Sequence, residues 1–126
     1  MTIRGLEVND LEKLKIIHEK FYQEEFEFPD FYDKFLCAFI ITDNANNIIS
    51  AGGVRTIAES VIITDKEYPI TERREALLQV LDASGFLAAR YNYSQLHAFV
   101  QDEDWERHLK KHGFQDCKGK AIFLNL

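Results

Sequence analysis

Apolar and polar positions change period several times along the 126 residues, and each change marks an element. Residues 3–8 (Ile3-Arg4-Gly5-Leu6-Glu7-Val8) alternate, which predicts a first strand. Asn9 or Asp10 then offers a helix N-cap, with Glu12 placed as in a capping box. Leu11, Leu14, Ile17, His18, Phe21 and Tyr22 recur at helical spacing and predict an amphipathic helix. His18 falls at the edge of that face, where a structural role is expected. Phe35–Thr42 is an unbroken apolar run, read as a central strand covered on both faces. Asp43-Asn44-Ala45-Asn46-Asn47 has the composition of a turn, and residues 48–56 return as the partner strand. Gly52-Gly53 within it marks a bulge or a place of close backbone approach.

The second half repeats the alternation on a larger scale. After a short turn at Ile57-Ala58-Glu59, the β-branched run Val61-Ile62-Ile63-Thr64 predicts a fourth strand. A turn carrying Pro69 follows, then a helix with Ala76, Leu77, Val80, Leu81, Ser84, Leu87, Ala88 and Tyr91 on one side. Gly85 inside that helix costs about 1 kcal/mol relative to alanine, which tight packing there would justify. Residues 96–100 predict a fifth strand, Glu103–Lys111 a last helix ended by Gly113, and residues 114–117 and 121–126 a closing hairpin turned at Lys118-Gly119-Lys120. The order β-α-(loop or α)-β-β-β-α-β-α-β-β is that of a mixed α/β (α+β) domain over residues 1–126, with helices on both faces of its sheet. A strand running into a helix N-terminus gathers unpaired N–H groups at one point, so the junction at residues 61–81 is a candidate anion seat.

Composition narrows the function. At 46% hydrophobic the chain can fill one core. Its formal charge of −6 argues against a nucleic-acid partner, which requires a basic face. Every apolar run is too short to cross a bilayer, and the first residues lack a signal-peptide pattern, so a cytoplasmic location is expected. Cys37 and Cys117 sit in expected strands as buried thiols, and no spacing joins them to the histidines as a metal site. Residues 23–33 are acidic and aromatic at once, with Pro29 breaking any long helix. They read either as a solvated connector whose rings pack on the core or as a lip over a pocket. In the second case carboxylates such as Glu25 would attract an amine, and rings such as Phe28 and Tyr32 would shape its aliphatic part.

Two segments give the chain a family resemblance. Residues 65–78 (Asp65-Lys66-Glu67-Tyr68-Pro69-Ile70-Thr71-Glu72-Arg73-Arg74-Glu75-Ala76-Leu77-Leu78) lie without gaps on the pattern acidic-Pro-x-Tyr-Arg-Gly-x-Gly-x-Gly-x-x-Leu-Leu of the GNAT family of N-acetyltransferases. Residues 102–114, with Trp105, His108 and the pair Gly113-Phe114, resemble that family's Asn-x-x-Ala-x-x-x-Tyr-x-x-x-Gly-Phe. The element order matches over essentially the whole chain. The resemblance implies a mostly antiparallel mixed sheet splayed between strands four and five, an acetyl-CoA cofactor with no metal, and acyl transfer to a primary amine on a small molecule or a protein. It further implies that the backbone of Ile62, Ile63 and Thr64 pairs with pantetheine and that Glu59 takes the amine proton. The chain departs from the pattern at Pro69, Ile70, Glu72 and Arg74, which replace the family's arginine and three glycines. Arg73 and Arg74 are then the candidates to bind phosphate through charge-assisted bonds. Leu109 stands where many members carry the tyrosine general acid; neither His108, on another face of the helix, nor His97 inherits that role.

These departures keep a second reading open, a catalytically inactive GNAT-like module that binds a protein partner or a second copy of itself. Trp105 is then either an interface anchor or a ring packed on the sheet. Residues 96–102 with Trp105, His108 and Leu109 also resemble short GNAT-like chains carried by bacteriophages. A purely structural protein is the remaining alternative.

Overall fold

Arg4 and Asp10 set the beginning of the chain. The guanidinium grips the carboxylate through two bonds, Nη1 to Oδ2 at 2.8 Å and Nη2 to Oδ1 at 2.7 Å, and Oδ2 also accepts the Glu7 backbone N–H at 2.8 Å. That third bond bends residues 8–10 into a 3₁₀ turn, so the first strand, β1, stops at Thr2–Gly5 and the helix α1 runs Leu11–Phe21. The expected strand to Val8 is shortened for this reason, and the carboxylate of Asp10 serves the turn rather than capping α1. These observations come from a computed structural model that describes all residues 1–126.

The chain resolves into two units, Met1–Thr56 with Phe114–Leu126, and Ile57–Gly113. In the first, β1, β2 (Phe35–Thr42) and β3 (Ile48–Arg55) form an antiparallel sheet in that order. The turn between β2 and β3 is held by Asp43, whose Oδ1 accepts the N–H groups of Ala45 and Asn47, with Asn46 in the left-handed region at φ 65°. β2 is central, as its apolar run implies, yet it is not covered on both faces: Ile40 and Thr42 are buried while Leu36 and Phe39 are exposed. Leu14 and Asp10 complete the buried set of this unit.

The second unit contains β4 (Ala58–Glu59), α2 (Ile70–Arg90), β5 (Leu96–His97) and α3 (Glu103–Lys111). β4 and β5 pair in parallel, Ala58 opposite Leu96 and Glu59 opposite His97, and Ser60 adds one more bond from its N–H to the His97 carbonyl at 2.8 Å. α2 contacts β5, and Leu81 of α2 and Leu109 of α3 are buried.

Three expectations are corrected. The fourth strand lies at Ala58–Glu59, earlier than the β-branched run, because its partner β5 is only two residues long. Val61-Ile62-Ile63-Thr64 therefore has no edge to pair with, and β-propensity without a partner does not make a strand. The closing hairpin keeps its turn, with Gly119 at φ 81°, but its arms are irregular. A lone two-stranded hairpin has too little to bury, and Ile122, Phe123 and Leu124 stay more than four-fifths exposed. Cys117 is exposed with them. Finally, the strands form two hydrogen-bonded sets, a three-stranded antiparallel sheet and a parallel pair, in place of one mixed sheet. The fold class, mixed α/β with three α-helices, stands.

Gly85 is not explained by tight packing, since a Cβ built there meets nothing within 4 Å. Gly85→Ala is therefore expected to stabilise the protein by about 1 kcal/mol, read as a higher urea midpoint at unchanged slope.

Candidate functional site

The N-terminal turn of α2 forms where Pro69, with φ −55° and ψ 146°, delivers an extended chain into the helix. Asp65 shapes the approach by accepting the Glu67 N–H on Oδ1 at 2.9 Å. The first intrahelical bond runs from the Arg73 N–H to the Pro69 carbonyl at 3.0 Å. The N–H groups of Ile70, Thr71 and Glu72 thus precede the helix's own ladder and lie at its positive end.

Beside this turn lies a cavity of about 370 Å³. One wall is the irregular segment Ile62-Ile63-Thr64-Asp65 with Tyr68, and the other is the α2 face bearing Glu72, Arg73, Ala76, Leu77 and Val80. Spacings of three and four residues along α2 bring those side chains to one side. Half of the lining residues are aliphatic, Asp65 and Glu72 bring carboxylates, and the single cation is Arg73. That guanidinium is half-buried, and its Nε is shielded from solvent with no hydrogen-bond partner. A buried N–H donor left unmatched costs free energy unless a ligand or water meets it.

The sequence-derived candidates divide. Ile62, Ile63, Thr64 and Arg73 come together around the cavity, whereas Arg74 is exposed and does not line it. Glu59 lies on β4, exposed and outside the lining, beside its cross-strand neighbour His97. His97 Nδ1 and the adjacent Ser60 Oγ are both buried without a partner, so the end of the parallel pair gathers two unmatched polar atoms next to the Glu59 backbone. Neither atom could be picked from the sequence, because their isolation depends on the pairing stopping at Ser60.

Glu25, Phe28 and Tyr32 belong to the first unit. Here His18 has the structural role expected of it. Its Nε2 lies 2.6 Å from the Phe26 carbonyl, and its ring meets Phe26 and Phe28 edge-on at 5.3 and 5.5 Å. Phe28 continues the ladder to Phe31, and Phe31 to Phe35. Phe28 is therefore partly a packing residue, while Glu25 and Tyr32 face solvent. Tyr32 keeps its place through its N–H to Asp30 Oδ1 at 3.0 Å.

On α3, Leu109 is 2% exposed and belongs to the core. Trp105 is half-buried rather than exposed and stacks on His108. No group of three or more His, Cys, Asp or Glu side chains is gathered as a metal ion would require, and no helix is long and apolar enough to cross a membrane. Pro69 contributes no N–H to this turn, and Glu72 brings a carboxylate to the end where the N–H groups of Ile70 and Thr71 lie.

Searches against protein-family models and against curated proteins find no match to this chain.

Proposed function

We propose that the chain is a GNAT-like N-acyltransferase that takes an acyl group from acyl-CoA to a primary amine, with a degenerate pyrophosphate loop. The observation that carries this reading is the cavity at the α2 N-terminus with Arg73, whose Nε has no partner, in its wall. Ile62, Ile63 and Thr64 would hold the pantetheine arm, and Arg73 would take a phosphate oxygen with help from Arg74 at the rim. When bound, acyl-CoA supplies an activated thioester. The protein contributes alignment of the amine and removal of its proton. Glu59 is the candidate base, exposed enough to act through water. The acidic-aromatic segment that includes Glu25, Phe28 and Tyr32 favours a cationic acceptor.

Isothermal titration with acetyl-CoA tests the reading, and no detectable heat at millimolar ligand would end it. Arg73→Ala is expected to weaken acetyl-CoA binding about tenfold, the worth of one charge-assisted bond, with the thermal midpoint of the free protein little changed. An equal loss in both would place Arg73 in packing instead.

A second reading is favoured by Leu109. A buried leucine in the family's tyrosine position supplies no proton, and Glu72 at the cavity wall repels phosphate. On this reading the chain is a catalytically inactive GNAT-like module that binds a protein partner. Binding of acetyl-CoA without release of free thiol in the presence of any amine tested would select it.

A further inference from the structure

We infer that residues 121–126 (Ala121-Ile122-Phe123-Leu124-Asn125-Leu126) pair with the open edge of β3 in a second copy of this chain, the two copies exchanging the segment reciprocally. The segment has the composition of a strand and no strand to join. None of its residues makes a hydrogen bond, and Ile122, Phe123 and Leu124 are 88%, 89% and 82% exposed.

The first unit also holds the complementary feature. The order β1-β2-β3 leaves one side of β3 unpaired, and six of its eight residues are exposed. No backbone bond joins that side to another part of the chain, so it presents a row of N–H and C=O groups that can receive a strand. β1, at the opposite edge, offers only four residues, fewer than the segment needs.

Side chains, charge and area favour a second copy as the source of that strand. Opposed residues of an antiparallel ladder share a face, which puts Phe39 and Val54, 40% and 52% exposed, on the same side of the sheet. In an added strand Ile122, Leu124 and Leu126 fall on one face and continue this apolar row. Residues 117–126 carry Lys118 and Lys120 and no acidic side chain, whereas residues 1–56 carry ten Asp and Glu against six Lys and Arg, a net −4. The basic turn therefore steers the segment toward the acidic unit of another copy. Pairing that covers about half the surface of each segment, with as much on each edge, removes on the order of 1,600 Å² over the two exchanges, the size of a stable interface. Reciprocal exchange closes the assembly at two copies and leaves neither β3 edge open. The dimer requires no ligand and stands apart from the acyl-transfer reading.

Sedimentation equilibrium from about 1 µM to about 1 mM, a range in which interfaces of this size associate, is expected to show dimers of the wild-type chain. The double variant Ile122→Lys/Leu124→Lys is expected to weaken the dimer at least tenfold. Its thermal midpoint measured on the monomer should match that of wild type, since both side chains are exposed in the single copy. Amide exchange locates the contact without a variant: protection should rise with concentration at residues 121–126 and along β3 together. A wild-type chain that stays monomeric at about 1 mM, or a dimer equally strong in the double variant, would overturn the exchange. Protection of 121–126 that is independent of concentration would place the segment on its own chain, and protection of β1 in place of β3 would remove β3 as the acceptor; either result also overturns it.

Discussion

Gly53→Val is expected to cost about 3 kcal/mol or more and to dissolve the pairing of β2 with β3. A Cβ at this position runs into the Cys37 carbonyl oxygen and comes within 2.9 Å of the Ala38 Cα. Both obstacles are backbone, so no side-chain rotation relieves them, and the strands must separate or lose register. The cause lies across the sheet, where the register of β2 shifts between Phe35 and Cys37 and pushes its backbone toward Gly53. Gly52→Val is the matched control. A Cβ there meets nothing within 4 Å, and a β-branched residue suits a strand better than glycine, so little loss or a small gain is expected. Urea denaturation followed by far-ultraviolet dichroism compares the two, and amide exchange over residues 35–55 locates the damage. Equal stability of the two variants would mean that the strands yield more easily than their spacing implies. Trp105 is the wrong reporter for this test, being in the other unit.

Asp10→Ala carries the second large effect, about 2–3 kcal/mol. The carboxylate is 6% exposed and satisfies three donors, two from Arg4 and one from the Glu7 backbone. Removing it strands those donors, which costs more than the pair itself contributes. Water reaching Arg4, whose side chain is 31% exposed, keeps the loss below that of a fully buried pair. Asp10→Asn retains one acceptor for the Glu7 N–H and should lose less. The same contacts lower the Asp10 carboxyl from 3.8 to about 2, chiefly through the Arg4 bonds. A carboxyl lowered by folding stabilises fully above its ordinary value, and that contribution drains away as the pH falls through 3.8 toward 2. The difference corresponds to about 2 kcal/mol before solvent screening is counted. Stability measured from pH 5 to pH 2 should therefore fall more steeply in the wild type than in Asp10→Asn. Parallel curves would remove Asp10 from the acid response.

What the sequence made legible follows from how local the cause was. The β2–Asp43 turn–β3 hairpin is written in an apolar run, an Asx-rich turn and a second apolar run, and it formed with its expected bounds to within a residue. α3 spans Glu103–Lys111 as its spacing and Gly113 predict. The failures needed information from elsewhere in the chain. Val61-Ile62-Ile63-Thr64 looks like a strand until the shortness of β5 is known, and residues 121–126 look like one until their lack of a partner is known. In the candidate site, Ile62, Ile63, Thr64 and Arg73 were named through the family resemblance, and all four line one cavity. Arg74 fell outside it because one residue along a helix turns a side chain about 100°. The unmatched atoms of Ser60, His97 and His108 are properties of packing, which no local pattern records.

The division of the chain bears on how it is made. The first unit is interrupted in sequence by the whole of the second, yet every strand of its sheet lies before residue 57. β2 and β3 are joined by a five-residue turn, so closing that pair costs little entropy, whereas β1 reaches β2 across the residues of α1 and the segment after it. During synthesis every strand of this sheet is therefore made before α2 begins at Ile70. The second unit must likewise bring β5 back to β4 across the intervening α2, and waits for residue 97 to do so.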